Sequence, residues 1–431
     1  MARLSIKSTN PKLSFVLAKN PSTGLLVKQC RQGLLYGWFN ADNPQVYNIW
    51  FRDSDTEVSF KENAETSFEY LDTSRYNSPL FPISAISEIL GSASKKRQDG
   101  DGLGFEHELT INLVNITNTK YLEIFKQITD FNLGFNLVAP NNYKVVIKTN
   151  LSIYELLGYV NLFCLFNALK NEIPIVLDED FVKKYLTSLN AIDAPYLLRY
   201  VFKVNLLRHK ETFNKYKSLL ETSNHSKIEM TFGSTTKARE DFVKSSIGAD
   251  KLPILDVGCG EGNYIRLLAR QMENVTYYAV DTNSERIEDI KHLVQKKQIE
   301  NVKTFASIES VISDGIAIND YNEKINVLLI EVLEHMKQED AELLLKKVLD
   351  EVNVNKVIIT TPNNDFSKNF GFDEGDVRHD DHEFEFVQQS FIEFLNKIVS
   401  TYDGKYSFET RQIGDIVNGT SMGLSSIISR C

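Results

Sequence analysis

Glu331, Glu334 and His335 stand at i, i+3 and i+4, directly after the apolar run Val327 to Ile330. A helical turn starting at Glu331 would set all three side chains on one face. Two carboxylates that close repel unless something positive lies between them, and a histidine beside them points to a metal ion. The plainer reading is an acidic helix N-terminus, where carboxylates complement the helix dipole. A second patch shifts the balance. Residues Arg378, His379, Asp380, Asp381, His382, Glu383 and Glu385 lie in a long stretch that follows another apolar strand, Lys356 to Thr360. Folded over the first patch, that loop supplies a fourth ligand from His379 or His382. Two carboxylates and two imidazoles suit Mn²⁺, Fe²⁺ or Zn²⁺ better than Mg²⁺.

Glycines carry the second piece of chemistry. Gly258, Gly260 and Gly262 follow the apolar strand Ile254 to Val257, and they allow a tight strand-to-helix turn with close backbone approach to a ligand. The spacing differs from the Gly-x-Gly-x-x-Gly of NAD sites. Asp281 ends the next strand, where a carboxylate can accept both hydroxyls of an adenosine ribose. With Asp256 inside the first strand, the set resembles the Rossmann-like methyltransferases that use S-adenosylmethionine. In that reading Asp256 lies near the methionine end, Asp281 holds the ribose, and Glu261 belongs to the loop.

Elements must place these groups. From Leu252 onward strand and helix alternate: strands at Ile254 to Val257, Thr276 to Val280, Val302 to Ala306, Val327 to Ile330 and Lys356 to Thr360. A late antiparallel hairpin is expected from Phe408 to Ile413 and Leu424 to Ile428. This is a doubly wound α/β domain, whose ligands lie at the carboxyl ends of its strands. Residues 1–225 read as an α+β docking domain: strands at Ser14 to Leu17, Val46 to Phe51, Thr110 to Val114 and Tyr143 to Ile147, then helices. The helices are expected at Ile83 to Leu90, Tyr154 to Asn167, Asp180 to Ser188 and Tyr196 to Leu220, the last with its Lys and Arg outward. A polar join from Glu221 to Thr236 separates it from a domain of 226–431. Lys95, Lys96 and Arg97 form a small basic cluster of the kind usually solvated, and His107 and His209 have no partner at catalytic spacing.

Charge is divided unevenly. Residues 1–225 hold 25 Lys and Arg against 23 Asp and Glu; the rest holds 23 against 35, so the net −10 falls as +2 and −12. The acidic half has no basic stripe for tracking a long duplex, so nucleic-acid contact there is short or leans on the first half. Cys30, Cys164, Cys259 and Cys431 lack metal or redox spacing and read as reduced thiols of a cytoplasmic protein. The stretch Leu156 to Leu169 is too short for a membrane span and reads as a buried helix, so no membrane partner is expected.

Taken in order, the segment Leu255 to Gly262, Glu331 to Met336, Thr361 to Phe366 and Arg378 to Phe386 resemble the 3′-terminal RNA ribose 2′-O-methyltransferases. That family includes the plant small-RNA enzyme and a bacterial RNA-repair branch. The start Leu4 to Thr9, the region Tyr70 to Leu90 and the stretch Leu177 to Leu186 are similar to the bacterial N-terminal domain. The resemblance implies Glu331, Glu334, His335 and His382 as ligands of one divalent ion, Mn²⁺ first, with Mg²⁺, Fe²⁺ or Zn²⁺ as alternatives. It implies S-adenosylmethionine held by Asp256, Gly258, Gly260 and Asp281. His335, His382 and Arg378 are then the catalytic candidates, Arg378 gripping a substrate phosphate or anchoring the loop, with His379 in a lesser polar role. It further implies an RNA 3′ end with a free 2′,3′-diol as substrate, and a polynucleotide kinase-phosphatase as repair partner. Two departures stand out. Phe386 and Val387 replace the family's Trp-Thr, and Phe305 to Glu309 lacks its Gly-Ser-Leu character. Alternatives remain: a metal-dependent methyltransferase of small diols or catechols, and a non-catalytic scaffold of a repair complex.

Overall fold

The computed structural model describes residues 2–30, 33–53, 76–175, 178–249, 251–316, 324–373 and 375–431. Two expected segments, Tyr70 to Arg75 and Leu177, lie outside them. The chain divides into two compact units: residues 1–206 with 218–225, and residues 207–217 with 226–431.

The first unit is built on a seven-stranded antiparallel sheet of β1 (Arg3–Ser8), β2 (Leu26–Cys30), β3 (Gly33–Phe39), β4 (Val46–Asp53), β5 (His107–Asn115), β6 (Phe131–Ala139) and β7 (Asn142–Thr149). Their order across the sheet is β2-β3-β4-β1-β5-β7-β6. Alternation drives it: Leu4, Ile6, Leu35, Ile49 and Phe51 are buried, while Arg3, Lys7 and Arg52 are exposed. The helix Ile153–Lys170 is buried along nearly its whole length. It starts at a capping box in which Ser152 and Glu155 bond reciprocally, and Asp101 accepts from the amides of Ile153 and Tyr154 at 2.8 and 3.0 Å. No helix among the described residues is long and apolar enough to cross a membrane.

Three expectations for this unit need correction. Ser14 to Leu17 is not a strand; Leu13–Val16 is a short helix turning its two leucine-valine ends inward. The long helix Tyr196 to Leu220 is two helices, Tyr196–Leu206 and Lys210–Glu221. Nor do the cations of the first all face out: Arg199 and Lys203 are buried. Arg199 donates to the carbonyls of Ala194 and Leu220 and to Asn190 Oδ1, at 2.7, 2.9 and 2.9 Å, and it pairs with Asp193. A guanidinium has enough fixed donors to satisfy several carbonyl ends at once, so burial is tolerated. His107 also has a partner: its Nδ1 lies 2.8 Å from Ser8 Oγ.

The second unit is an eight-stranded sheet of β8 (Ile228–Glu229), β9 (Ile254–Val257), β10 (Tyr277–Val280), β11 (Val302–Phe305), β12 (Ile325–Ile330), β13 (Val354–Pro362), β14 (Tyr406–Val417) and β15 (Thr420–Arg430). Its order is β11-β10-β9-β12-β13-β15-β14-β8. The strands β9 to β13 run parallel, and β15, β14 and β8 join antiparallel. Both faces are covered, so the parallel strands are continuously apolar: Leu255 and Val327 feed one core, Ile254 and Leu328 the other. The strand order reverses between β9 and β12, and a crevice therefore opens beyond their carboxyl ends. The glycine loop leaves β9 and the Glu331 segment leaves β12, so both flank that point.

Candidate metal centre and cofactor cleft

The turn after β12 is not the regular helical turn that spacing suggests. Glu331 takes a left-handed backbone, φ 54°, and only Leu333–His335 closes a single 3₁₀ turn. Glu331 is not among the residues whose ligand atoms converge there. Its carboxylate pairs with Arg239, from the helix Thr235–Ile247, and accepts from Thr360 Oγ1 at 2.9 Å.

Glu334, His335 and His382 converge instead, each offering a ligand atom within 4.8 Å of the others. Glu334 is 0% exposed; Oε2 accepts from Thr361 at 3.1 Å, and Oε1 has no partner. Burial pushes its carboxyl well above the usual carboxylate range, the Glu331 charge adds to this, and Thr361 and Arg239 oppose it. A buried carboxylate oxygen without a donor costs about 1–3 kcal/mol or more.

The loop that brings His382 is fastened at several points. The Glu383 amide donates to Glu334 O at 2.8 Å, and His382 donates from Nδ1 to Glu385 Oε1 at 2.8 Å. That bond leaves His382 Nε2 as the free ligand atom, the arrangement by which an outer carboxylate orients a metal-binding histidine. His335 is likewise fixed through Nδ1, which lies 3.2 Å from Asp381 O. Arg378 donates to Ser367 Oγ at 2.9 Å, to Met422 O at 3.1 Å and to the carbonyl of Asn363, and its own amide donates to Glu385 Oε1 at 2.8 Å. Of the two roles expected of Arg378, these are the contacts of a loop anchor. His379 is exposed, with its ring centroid 5.1 Å from that of His382. Phe386 packs at 5.4 and 5.1 Å from Phe391 and Phe394, so the Phe-Val departure is absorbed into the core.

These residues fit a divalent ion. The cluster holds one unpartnered buried oxygen and two imidazoles whose other nitrogens are tied down, and nitrogen with carboxylate donors suits Mn²⁺, Fe²⁺ or Zn²⁺. Glu331 stands outside the cluster, its carboxylate engaged by Arg239 and Thr360.

The glycine loop adjoins this centre. Gly258 has φ 73°, and a Cβ there would lie 2.7 Å from Val332 Cγ2, so glycine is required where the loop crosses the acidic segment. Gly260, φ 50°, has nothing within 4 Å on that side, and its backbone is open to a ligand. Its amide donates to Asp281 Oδ2 at 2.9 Å, and Asn283 N donates to Oδ1 at 2.9 Å. Asp281 thus sits at the loop with lone pairs remaining for a sugar. Asp256 is buried beneath, accepting from the Tyr277 hydroxyl at 2.7 Å. Burial pushes its carboxyl up to about 7, against the pull of that hydroxyl and with help from the Asp281 charge.

Spacing did not mark Arg239, Thr360, Thr361 or Glu385 as functional. Glu385 was recoverable, being three residues beyond His382 in the same loop. Arg239 was not, since only the folded sheet brings its helix to Glu331.

Comparison with known proteins finds a family for each half of the chain. Residues 3–225, just over half the chain, match the family described as Hen1 N-terminal domain, and residues 249–368 match a methyltransferase domain. A small RNA 2′-O-methyltransferase of Tetrahymena thermophila is 27% identical over 186 residues, 39% of this chain and 42% of its own. Another from Caenorhabditis elegans is 24% identical over 202 residues, 44% of each chain. The match therefore spans less than half the length of these relatives. Along the full length, a chain in the solved structure of the Pnkp1/Rnl/Hen1 complex is 25% identical with a TM-score of 0.79, all of both chains being covered. On the match to its N-terminal domain, this chain belongs to the Hen1 family.

Proposed function

We propose that the second unit transfers a methyl group from S-adenosylmethionine to the 2′-hydroxyl of the 3′-terminal ribose of RNA, in repair or in protection of the end. The observation that carries this reading is the buried, half-satisfied Glu334 meeting His335 and His382 beside the glycine loop. The names of the relatives, small RNA 2′-O-methyltransferases, support it. Glu334, His335 and His382 would hold one divalent ion, with Glu331 as the fourth donor. Such an ion would supply the Lewis acidity that makes a ribose hydroxyl a competent nucleophile.

The remaining work falls to the chain itself. Asp281 and the amides around Gly260 hold the donor nucleoside, with Gly258 letting the loop lie against Val332. That contact sets the donor beside the cluster, as an in-line displacement requires. Glu385 keeps His382 in one tautomer, and Arg378 ties the loop to Asn363 and Met422 so that the geometry does not need to be found at each turnover. His379, exposed beside His382, is placed to pass the released proton to water. The first unit is proposed to dock a polynucleotide kinase-phosphatase repair partner, in keeping with the near full-length likeness to a chain of the Pnkp1/Rnl/Hen1 RNA repair complex.

The test is radiolabelled methyl transfer to synthetic RNAs that differ only at the last sugar, in EDTA and with Mn²⁺ restored. A diol end should be methylated only with metal, and a 3′-phosphate or 3′-deoxy end poorly. Full activity in chelator, or equal rates on all ends, would refute the assignment.

A further inference from the structure

The first unit's sheet has one face packed on helices and one turned outward, and the outward face is unusual. Register sets Val27 opposite Tyr36, Tyr36 opposite Trp50, and Trp50 opposite Arg3, so these side chains form one cross-strand row. Trp38 and Arg52 lie two residues along on the same face. The rings of Tyr36 and Trp50 are 5.2 Å apart and inclined at 30°, and with Trp38 and Arg52 they line a hollow of about 670 Å³. On this face, among the described residues of β1 to β4, the charged side chains are Arg3, Lys7 and Arg52, and there is no carboxylate. Carboxylates begin only at β5, where Glu108 is already paired with Lys148 at 3.2 Å.

We propose that this face binds single-stranded RNA, with bases stacked on Tyr36 and Trp50 and phosphates held by Arg52 and Arg3. Stacking explains aromatic rather than aliphatic residues at partly exposed strand positions, because every base offers a π-face whatever its identity. A sheet carrying side-by-side aromatics is a platform that splayed bases fit and a closed duplex does not. The charge argues for a polyanion over a protein surface: among the described residues of β1 to β4, Arg3 and Arg52 stand on this face with no carboxylate, and Glu108 begins only opposite Lys7, where it pairs with Lys148. It also meets a need. Residues 226–431 carry −12 of the chain's charge, so phosphates of a bound strand have to be held elsewhere. That last step rests on RNA as the substrate; the test does not.

Trp38 and Trp50 are the chain's two tryptophans, so intrinsic tryptophan emission reports on this face alone. The full chain is titrated with a short oligouridylate and with the same strand annealed into a duplex. Saturable quenching by the single strand, weaker with duplex and weakened by salt, is expected. Arg52→Glu and Tyr36→Leu should each weaken it by roughly five- to a hundredfold. Arg52 is exposed and off the core, so the charge reversal remains informative even if Tyr36→Leu lowers the melting temperature. His382→Ala should leave the quench in place while removing methyl transfer, which separates failure of this proposal from failure of the enzymatic one. No quenching, as a protein-docking face would give, or unchanged affinity in the Arg52→Glu protein overturns it.

Discussion

At the scale of single residues, Glu385 is the sharpest probe of the centre, because it touches His382 and Arg378 and not the ion's position. Glu385→Ala is expected to lower Mn²⁺ affinity about 10- to 100-fold by calorimetry, as loss of an outer-shell partner does elsewhere. S-adenosylhomocysteine affinity should hold. Asp256 offers a pH test. Its carboxyl, raised to about 7 from 3.8 chiefly by burial, keeps its proton in the native chain after the unfolded chain has lost it. Stability therefore falls as pH rises across that interval. Asp256→Asn keeps an acceptor for Tyr277 and should remove the loss, melting higher than the parent at pH 8 by on the order of 2–4 kcal/mol of stability, and no higher at pH 4. Equal melting at both would place the titration elsewhere. Asp281→Ala strands the Gly260 amide and should weaken S-adenosylhomocysteine by about 1–3 kcal/mol.

At the scale of elements, the strand-to-loop junctions decide the site, and they are where the sequence was hardest to read. The apolar runs of β9, β10, β12 and β13 announced buried parallel strands, and the candidate site residues lie at or beyond their carboxyl ends. Spacing alone suggested a helical face for Glu331, Glu334 and His335. It could not show the left-handed Glu331, because that conformation is held by tertiary partners, Arg239 and Thr360. The same limit hid the burial of Arg199, whose partners come from three separate segments. The junction makes its own prediction. Gly258→Ala meets both a positive φ and Val332, and should destabilise the second unit by about 1–3 kcal/mol in urea while weakening the donor nucleoside. Wild-type stability would mean that Val332 simply moves aside.

At the scale of the whole molecule, two units were legible from the change in pattern between strand-rich and alternating halves. The sequence placed the join after residue 225. Residues 207–217 nevertheless group with the second unit, where Phe213 packs 5.8 Å from Phe232. No periodicity marks such an exchange, since an amphipathic helix looks the same whichever core receives its apolar side. A fragment of 207–431 should therefore melt higher than one of 226–431, with both binding S-adenosylhomocysteine. Identical melting temperatures would show that the Phe213 contact adds nothing.

One hydrogen bond also turns the centre into a clock. The Glu383 amide donates to Glu334 O, so the loop cannot leave the strand end without breaking it. Deuterium enters that amide only during an opening, and its exchange rate counts how often the pocket comes apart. An ion shared by Glu334 and His382 would bridge the same two segments, so its departure is gated by the same event. Metal loss into chelator and isotope uptake at one backbone nitrogen should then share a temperature dependence.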